Sequence, residues 1–150
     1  MSGDPRRGIL DTSAIIDLEV IDPARLPDIS SISTVTLAEL STGPHVASDD
    51  ATRAQRQQQL QHLESTVAAL AFDARCARAF GPISAAVVAS GRKARGSRSL
   101  DLLIAATARA HDLPLYTRNA KDLRGWKGSS RSSRSDQNAR GQASWAGPRM

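Results

Sequence analysis

The sequence has few of the residues that build disulfide frameworks, histidine metal sites or aromatic stacking surfaces. It contains one cysteine, three histidines and only 3% aromatic residues. A single cysteine can form neither an internal disulfide nor a cysteine metal cluster. The histidines show no HExxH-like spacing, so a histidine site is not expected. Any metal site is therefore expected to use oxygen ligands.

Long apolar runs and glycine-rich phosphate loops are also missing. No stretch approaches the roughly 20 apolar residues of a membrane span, and no apolar segment follows the arginines of MSGDPRRGIL as in a secretory signal. We therefore expect a cytoplasmic protein without membrane contact. No GxGxxG or GxxxxGK[ST] motif occurs, which argues against dinucleotide or P-loop chemistry.

The positive charge is concentrated at one end of the chain. The 150 residues carry a net charge of +5, and residues 127–150 hold one lysine and four arginines against one aspartate, so they account for four of the five charges. This segment has six serines, three glycines and no Val, Ile, Leu or Phe, a composition that cannot bury enough apolar surface to fold. We predict one folded, nearly neutral domain over 1–126 and a disordered tail over 127–150.

Within the domain, short apolar runs alternate with helical stretches, which is typical of a parallel α/β sheet. Strands are predicted at 9–10, 31–35, 67–72 and 115–117. Helices are predicted at 52–65, 73–80, 82–90 and 100–111, with Pro82 opening the third. The last helix is apolar almost all round its first two turns, so it should be buried.

Two acidic residues follow predicted strands. Asp11 comes directly after the first strand, at the sheet edge where α/β folds collect ligand sites, although an aspartate here could equally cap a helix. Glu39 follows the second strand. Taken alone, Glu39 is better explained by a capping box with Thr36.

Asp101 is harder to explain as a surface charge. It is predicted in the first turn of the buried helix, where a carboxylate needs a partner or a metal. Ser97 or Ser99 could cap this helix, leaving Asp101 for another role. Asn119 and Asp122 follow the last strand. Several carboxylates converging on one sheet edge would need a cation such as Mg²⁺ or Mn²⁺.

Three segments together resemble a known family: ILDTSAIID, TVTLAEL about 25 residues later, and RSLDLLIAATARAHDLPLYTRNAKDLRGW. They are similar to the PIN-domain family, in particular the VapC toxins of bacterial toxin–antitoxin modules, from about residue 9 to Trp126. Each motif is weak alone, and their order and spacing make the resemblance specific. It implies a PIN-like α/β/α sandwich with a central parallel sheet and a Mg²⁺-dependent endoribonuclease in which Mn²⁺ can substitute.

The resemblance also implies roles for individual residues. The catalytic, metal-binding acids would be Asp11, Glu39 and Asp101. Asn119 and Asp122 would share the fourth metal-binding position, and the hydroxyl groups of Ser13 and Thr117 would support the site. The implied partners are an RNA substrate, a cognate VapB-type antitoxin whose C-terminal segment covers the active-site groove, and a second copy of the chain in a homodimer.

RNA contact is expected mainly through phosphate attraction, because aromatic stacking groups are scarce. The candidate contacts lie in GRKARGSR just before Asp101: Arg92, Lys93, Arg95 and Arg98. A solvated basic loop explains this segment equally well.

The chain departs from the family pattern after Trp126. Members continue into a final apolar strand, whereas here the serine- and arginine-rich tail follows, so we predict that the final edge strand is missing. An alternative function is therefore a catalytically inactive relative that binds antitoxin or RNA without cutting. A dehalogenase-like phosphatase is disfavoured, because it needs Asp-x-Asp where this chain has Asp11-Thr12-Ser13.

Overall fold

A computed structural model describes residues 3–93 and 96–118. In chain order its strands and helices are β1 (Arg7–Leu10), α1 (Thr12–Ile16), β2 (Ile29–Ser33), α2 (Thr34–Thr42), α3 (Asp50–Thr66), β3 (Ala68–Leu70), α4 (Ala74–Ala89), α5 (Ser97–Ala110) and β4 (Leu115–Tyr116). Two short 3-10 turns, Leu18–Val20 and Pro23–Arg25, lie between α1 and β2. This order confirms the predicted α/β alternation.

The four strands form one sheet in the order β3-β2-β1-β4, and every pair is parallel. In the register, Leu10 is opposite Ile32 on one side and Tyr116 on the other. The carboxyl ends of β1, β2 and β4 therefore lie side by side. Whatever follows these strands is brought to one edge of the sheet.

Apolar side chains project from both faces of the sheet. Leu10 and Ile32 pack with residues of α1 and with Leu63 of α3, whereas Ile9 packs with Ile104 and other residues of α5. Helices therefore cover both faces, as in the expected α/β/α sandwich. No helix among residues 3–93 and 96–118 has the length and apolarity to cross a membrane.

The boundary between β2 and α2 lies earlier than predicted. The second strand was expected over 31–35, but it ends at Ser33, whose hydroxyl accepts a hydrogen bond from the Val35 amide at 3.1 Å and caps α2. Thr36 is therefore inside the first turn of α2 and is not its cap. The predicted capping box between Thr36 and Glu39 is wrong, since a cap at Ser33 puts Glu39 in the second turn.

The two helices predicted around Pro82 are one continuous helix, α4. Proline removes a single intrahelical hydrogen bond and clashes with the preceding turn. Pro82 is exposed, whereas Ile83 and Val87 are buried against Leu102 of α5. Burial of this apolar side keeps the helix continuous through the proline.

The buried helix α5 also begins earlier than expected. Its N-cap is Gly96, with a φ of 68° and no side-chain cap bond, so the predicted caps Ser97 and Ser99 are wrong. A positive φ suits glycine and lets the chain turn sharply into the helix. The predictions for 119–150, including the tail, the missing edge strand, Asn119 and Asp122, lie outside the described residues.

Candidate active site

The first and last strands of the sheet end beside each other and place two polar segments together. Asp11 follows β1, and its backbone N–H donates to the Tyr116 carbonyl of β4 at 3.0 Å. Thr117 and Arg118 follow β4 directly. The carboxyl edge of the sheet therefore joins residues that are about a hundred positions apart in the sequence.

Asp11 is buried with 3% of its surface exposed, and its carboxylate has a full set of local donors. It caps α1 by accepting from the Ala14 amide at 2.9 Å. The Ser13 hydroxyl donates to its Oδ1 at 2.7 Å, and the Thr117 hydroxyl also bonds to it. Burial nevertheless raises the pKa of Asp11 above its ordinary value, and the bonds from Thr117 and Ser13 offset only part of this effect. Capping and a site role, which the sequence left as alternatives, are compatible here.

Glu39 is hydrogen-bonded to Thr12, the residue that follows Asp11. The Thr12 hydroxyl donates to Glu39 Oε1 at 2.7 Å, and it lies 3.4 Å from the Thr36 hydroxyl. Glu39 is half-buried and faces α1 instead of its own helix N-terminus. Sequence reasoning missed Thr12 as the residue that orients Glu39, although the DTS turn contains it.

Asp101 lies on α5, further from the end of the sheet. α5 passes the end of β2, where the Thr107 hydroxyl is 3.1 Å from that of Ser33. Asp101 precedes Thr107 by six residues, about 9 Å along a helix axis. It is half-buried and lies in the second turn, so the prediction of a first-turn position is wrong. The helix dipole therefore supports its charge less than expected, because that effect fades beyond the first turn.

The carboxylate and hydroxyl oxygens at this edge are of the kind that bind a hard divalent cation. A buried carboxylate whose charge is disfavoured by burial gains from a nearby cation, and carboxylate and hydroxyl oxygens are the ligands that Mg²⁺ and Mn²⁺ prefer. The hydrogen bond from Thr12 links Glu39 to the segment that carries Asp11. Within residues 3–93 and 96–118, no three acidic, histidine or cysteine side chains are close enough to hold one ion together. Two of the predicted ligands, Asn119 and Asp122, fall outside those ranges.

The predicted basic RNA-binding segment is only partly described. Arg98 donates to the Lys93 carbonyl at 2.8 Å, and Arg92 is half-buried. Arg95 lies outside the described residues. Two of the arginines therefore pack within the connection between α4 and α5, and RNA contact by this segment stays a prediction.

Sequence reasoning also missed an ion pair at the site. The Arg118 guanidinium lies 3.2 Å from the carboxylate of Asp17, which ends α1. The backbone N–H of Arg118 donates to the Ser13 hydroxyl at 3.0 Å. Arg118 lies within the TRN segment and Asp17 is the last residue of ILDTSAIID, so only their membership of these two motifs could have indicated them.

A groove of about 590 Å³ runs from Glu39 between α1, α2 and α3. Its walls combine apolar and polar side chains, among them Ile15, Ile16, Leu40, Gln59 and Arg56. Ile16 is 70% exposed. Two carboxylates, Glu19 and Glu39, line this groove together with apolar side chains, so it suits a polypeptide that carries both apolar and basic side chains.

Comparison with known proteins places this architecture in a family. The PIN domain pattern matches residues 9–124. Ribonuclease VapC5 of Mycobacterium tuberculosis is 38% identical over 124 residues, which cover 79% of this chain and 87% of that protein. A buried aspartate at the carboxyl edge of a parallel sheet thus occurs within a PIN-domain sequence.

Solved structures agree with this result. The VapBC-5 toxin–antitoxin structure of M. tuberculosis has a TM-score of 0.67 and 36% identity, covering 77% of this chain and 86% of that one. VapBC2 from Rickettsia felis, bound to a promoter DNA fragment, has a TM-score of 0.65 and 25% identity, covering 80% and 93%. VapBC-1 from nontypeable Haemophilus influenzae has a TM-score of 0.63 and 26% identity, covering 78% and 90%. This chain therefore belongs to the PIN-domain family, which confirms the resemblance and the fold expected from the sequence.

Proposed function

We propose that this protein is a cytoplasmic, metal-dependent endoribonuclease that serves as the toxin of a toxin–antitoxin module. One observation carries the proposal: a buried, hydroxyl-supported carboxylate, Asp11, lies at the carboxyl edge of the sheet in a chain 38% identical to a protein named ribonuclease. One of the structural relatives, VapBC-5, is a member of a family of toxin–antitoxin systems, which supports an antitoxin as the partner.

The residues at the carboxyl edge would have two roles: some would bind the metal ion and others would orient the metal-binding carboxylates. Asp11 would bind Mg²⁺ or Mn²⁺, and the family resemblance gives it Glu39, Asp101 and Asn119 or Asp122 as fellow ligands. In the structure Asp11, Glu39 and Asp101 are not close enough together to share one ion, so Glu39 and Asp101 would have to approach Asp11 when the ion binds. A bound ion supplies an activated water and neutralises charge on the phosphodiester. Ser13 and Thr117 fix the orientation of the Asp11 carboxylate, and Thr12 fixes that of Glu39. Side chains held in one orientation need no rearrangement when charge develops in the transition state.

An antitoxin segment would occupy the groove beside Glu39. Its apolar residues would pack on Ile15, Ile16 and Leu40, and a basic side chain could reach the Glu39 carboxylate. Occupation of this groove would keep RNA from the acids. The same family relationship supports a homodimer of the toxin.

The proposal is tested by incubating the purified full chain with total RNA in Mg²⁺, in Mn²⁺ and in excess EDTA, and by mapping the cut sites. We expect cleavage only with a divalent ion, and a loss of at least about 100-fold in Asp11→Asn. Asp22→Asn is the matched control, since Asp22 also caps a turn by accepting from the Ala24 amide but is exposed.

Undiminished cleavage in EDTA or in Asp11→Asn would contradict the metal mechanism. RNA or antitoxin binding without any cleavage would identify the chain as an inactive relative.

A further inference from the structure

The ion pair between Asp17 and Arg118 connects the end of α1 to the segment after β4, close to Asp11. Arg118 is held at two points: its guanidinium lies 3.2 Å from Asp17, and its backbone N–H donates to the Ser13 hydroxyl at 3.0 Å. These two points lie at opposite ends of α1. The helix therefore fixes both the side chain and the backbone of Arg118.

This arrangement bears directly on Asp11. The Ser13 hydroxyl accepts from Arg118 and donates to Asp11 Oδ1, so a shift of residue 118 alters the direction of that donation. Thr117, next in the chain, also bonds to the Asp11 carboxylate. Two of the bonds that orient Asp11 therefore depend on where the backbone at 117–118 lies.

We propose that Asp17 and Arg118 are positioning residues: their ion pair holds the segment after β4 against α1 so that Ser13 and Thr117 orient Asp11. The inference rests on the proposed function for its effect on catalysis. Its structural part, the ordering of residue 118 by Asp17, does not depend on activity.

Both partners are half-exposed, with 36% and 48% of their side chains accessible. Exposed ion pairs contribute little to global stability, about 0–1 kcal/mol. A small displacement of a reacting group can nevertheless reduce a rate by about 100-fold. The pair should therefore affect the turnover rate much more than the melting temperature.

The test uses the full chain and a double-mutant cycle of Asp17→Asn, Arg118→Gln and the double variant. Asp28→Asn is the matched control, because Asp28 forms a similar exposed pair with Arg6 at 3.3 Å, next to the amino ends of β1 and β2. We expect each single variant to lose about tenfold in kcat with KM within about twofold. The double variant should lose no more than either single variant, Arg118→Lys should recover most of the rate, and Asp28→Asn should retain it.

A second measurement separates this proposal from the proposed function. Amide hydrogen exchange at Arg118 should accelerate about tenfold in Asp17→Asn and stay unchanged in Asp28→Asn, since protection reports local opening. Unchanged exchange at Arg118 would overturn the proposal whether or not the chain cuts RNA. A wild-type chain that fails to cut RNA would overturn the proposed function, and the exchange result would still decide the role of Asp17.

The kinetic outcomes are equally decisive. If Arg118 instead contacts RNA phosphate directly, Arg118→Gln raises KM and Asp17→Asn leaves kcat unchanged. Losses in kcat that multiply in the double variant would show that the two residues act independently. Either result would overturn the proposal.

Discussion

Asp11 lies at a place where burial disfavours a negative charge. Burial raises the pKa of Asp11 above 3.8, its ordinary value. A carboxyl group whose pKa is higher in the folded state stabilises the fold fully below its unfolded pKa, and this contribution is lost as the pH rises through the folded pKa. Once the pH has risen through the folded pKa, the ionised Asp11 therefore lowers the stability of the chain, as is common for functional residues.

Replacing Asp11 by asparagine should stabilise the protein at pH 7 while removing activity. The asparagine oxygen can still accept from Ala14 and Ser13, and the buried charge is gone. We expect a higher melting temperature than wild type at pH 7, with the difference shrinking as the pH falls toward 4. Thermal unfolding across this range measures the effect.

A divalent ion should reverse the order of the two proteins. Mg²⁺ or Mn²⁺ should raise the melting temperature of the wild type more than that of Asp11→Asn, since ligands stabilise the state that binds them. A variant less stable than wild type at pH 7 without metal would show that the Asp11 charge is not a cost to folding.

Asp11 and Glu39 show what the sequence could and could not predict about the site. Asp11 was predictable because a strand end and a helix start are both local signals. Glu39 was assigned to a capping box by its spacing, yet its carboxylate accepts from Thr12, which lies 27 residues away. Long-range partners such as Thr12 with Glu39, or Arg118 with Asp17, leave no periodic signal in the chain.

At the scale of elements, the contact between β1 and β4 depends on a glycine. A Cβ added to Gly8 would overlap Cε2 of the Tyr116 ring and would come within 2.6 Å of its Cδ2 and 3.3 Å of Pro27 Cβ. Tyr116 also accepts the backbone hydrogen bond from Asp11. Because Gly8 has no Cβ, β4 can lie close enough to β1 for Thr117 to bond to the Asp11 carboxylate.

Gly8→Ala should therefore destabilise the protein by about 1–3 kcal/mol, the usual cost of overpacking, and should reduce RNA cleavage. Urea unfolding and cleavage assays measure the two effects. Gly81→Ala is the opposite case, since Gly81 lies inside α4 with nothing within 4 Å of an added Cβ. It should gain up to about 1 kcal/mol from helix propensity. Equal effects of the two substitutions would contradict the role given to Tyr116.

The strands and helices were predictable where local signals agree with packing. The apolar runs at β1 and β4 and the amphipathic pattern of α3 gave elements close to those observed. Predictions were wrong where tertiary contacts override a local signal. Val35 is β-branched but is helical because Ser33 caps α2, and Pro82 lies within α4 because Ile83 and Val87 are buried beside it.

At the scale of the whole molecule, binding of the proposed antitoxin to the groove beside Glu39 can be tested separately from RNA cleavage. Ile16→Asp places a charge on the apolar wall, so binding of the antitoxin encoded in the same module should weaken by at least about tenfold. Val46→Asp is a matched control, since Val46 is also 70% exposed but does not line the groove. Calorimetry measures binding, and RNA cleavage by both variants should stay near wild type. Equal binding losses in the two variants would exclude the groove as the docking site.

The parallel sheet was predictable from the alternation of strands and helices, but the strand order was not. The order β3-β2-β1-β4 puts the first strand in the interior of the sheet, between the second and the last. Nothing in the local pattern of β4 indicates that it pairs with β1. That pairing depends on the apolar contacts of Ile9 and Leu115 across the sheet and on the helices that cover them.

The pairing of β1 with β4 has a consequence for how the protein is made. Ser13 and Arg118 are 105 residues apart, and contacts of such long sequence separation form slowly. During synthesis Asp11 leaves the ribosome early. Its hydrogen-bond partner Thr117 emerges only after every helix from α1 to α5. A chain translated only as far as α5 therefore cannot assemble this site, so for a protein that cuts RNA, the translating message would be spared until residues 117–118 have been made.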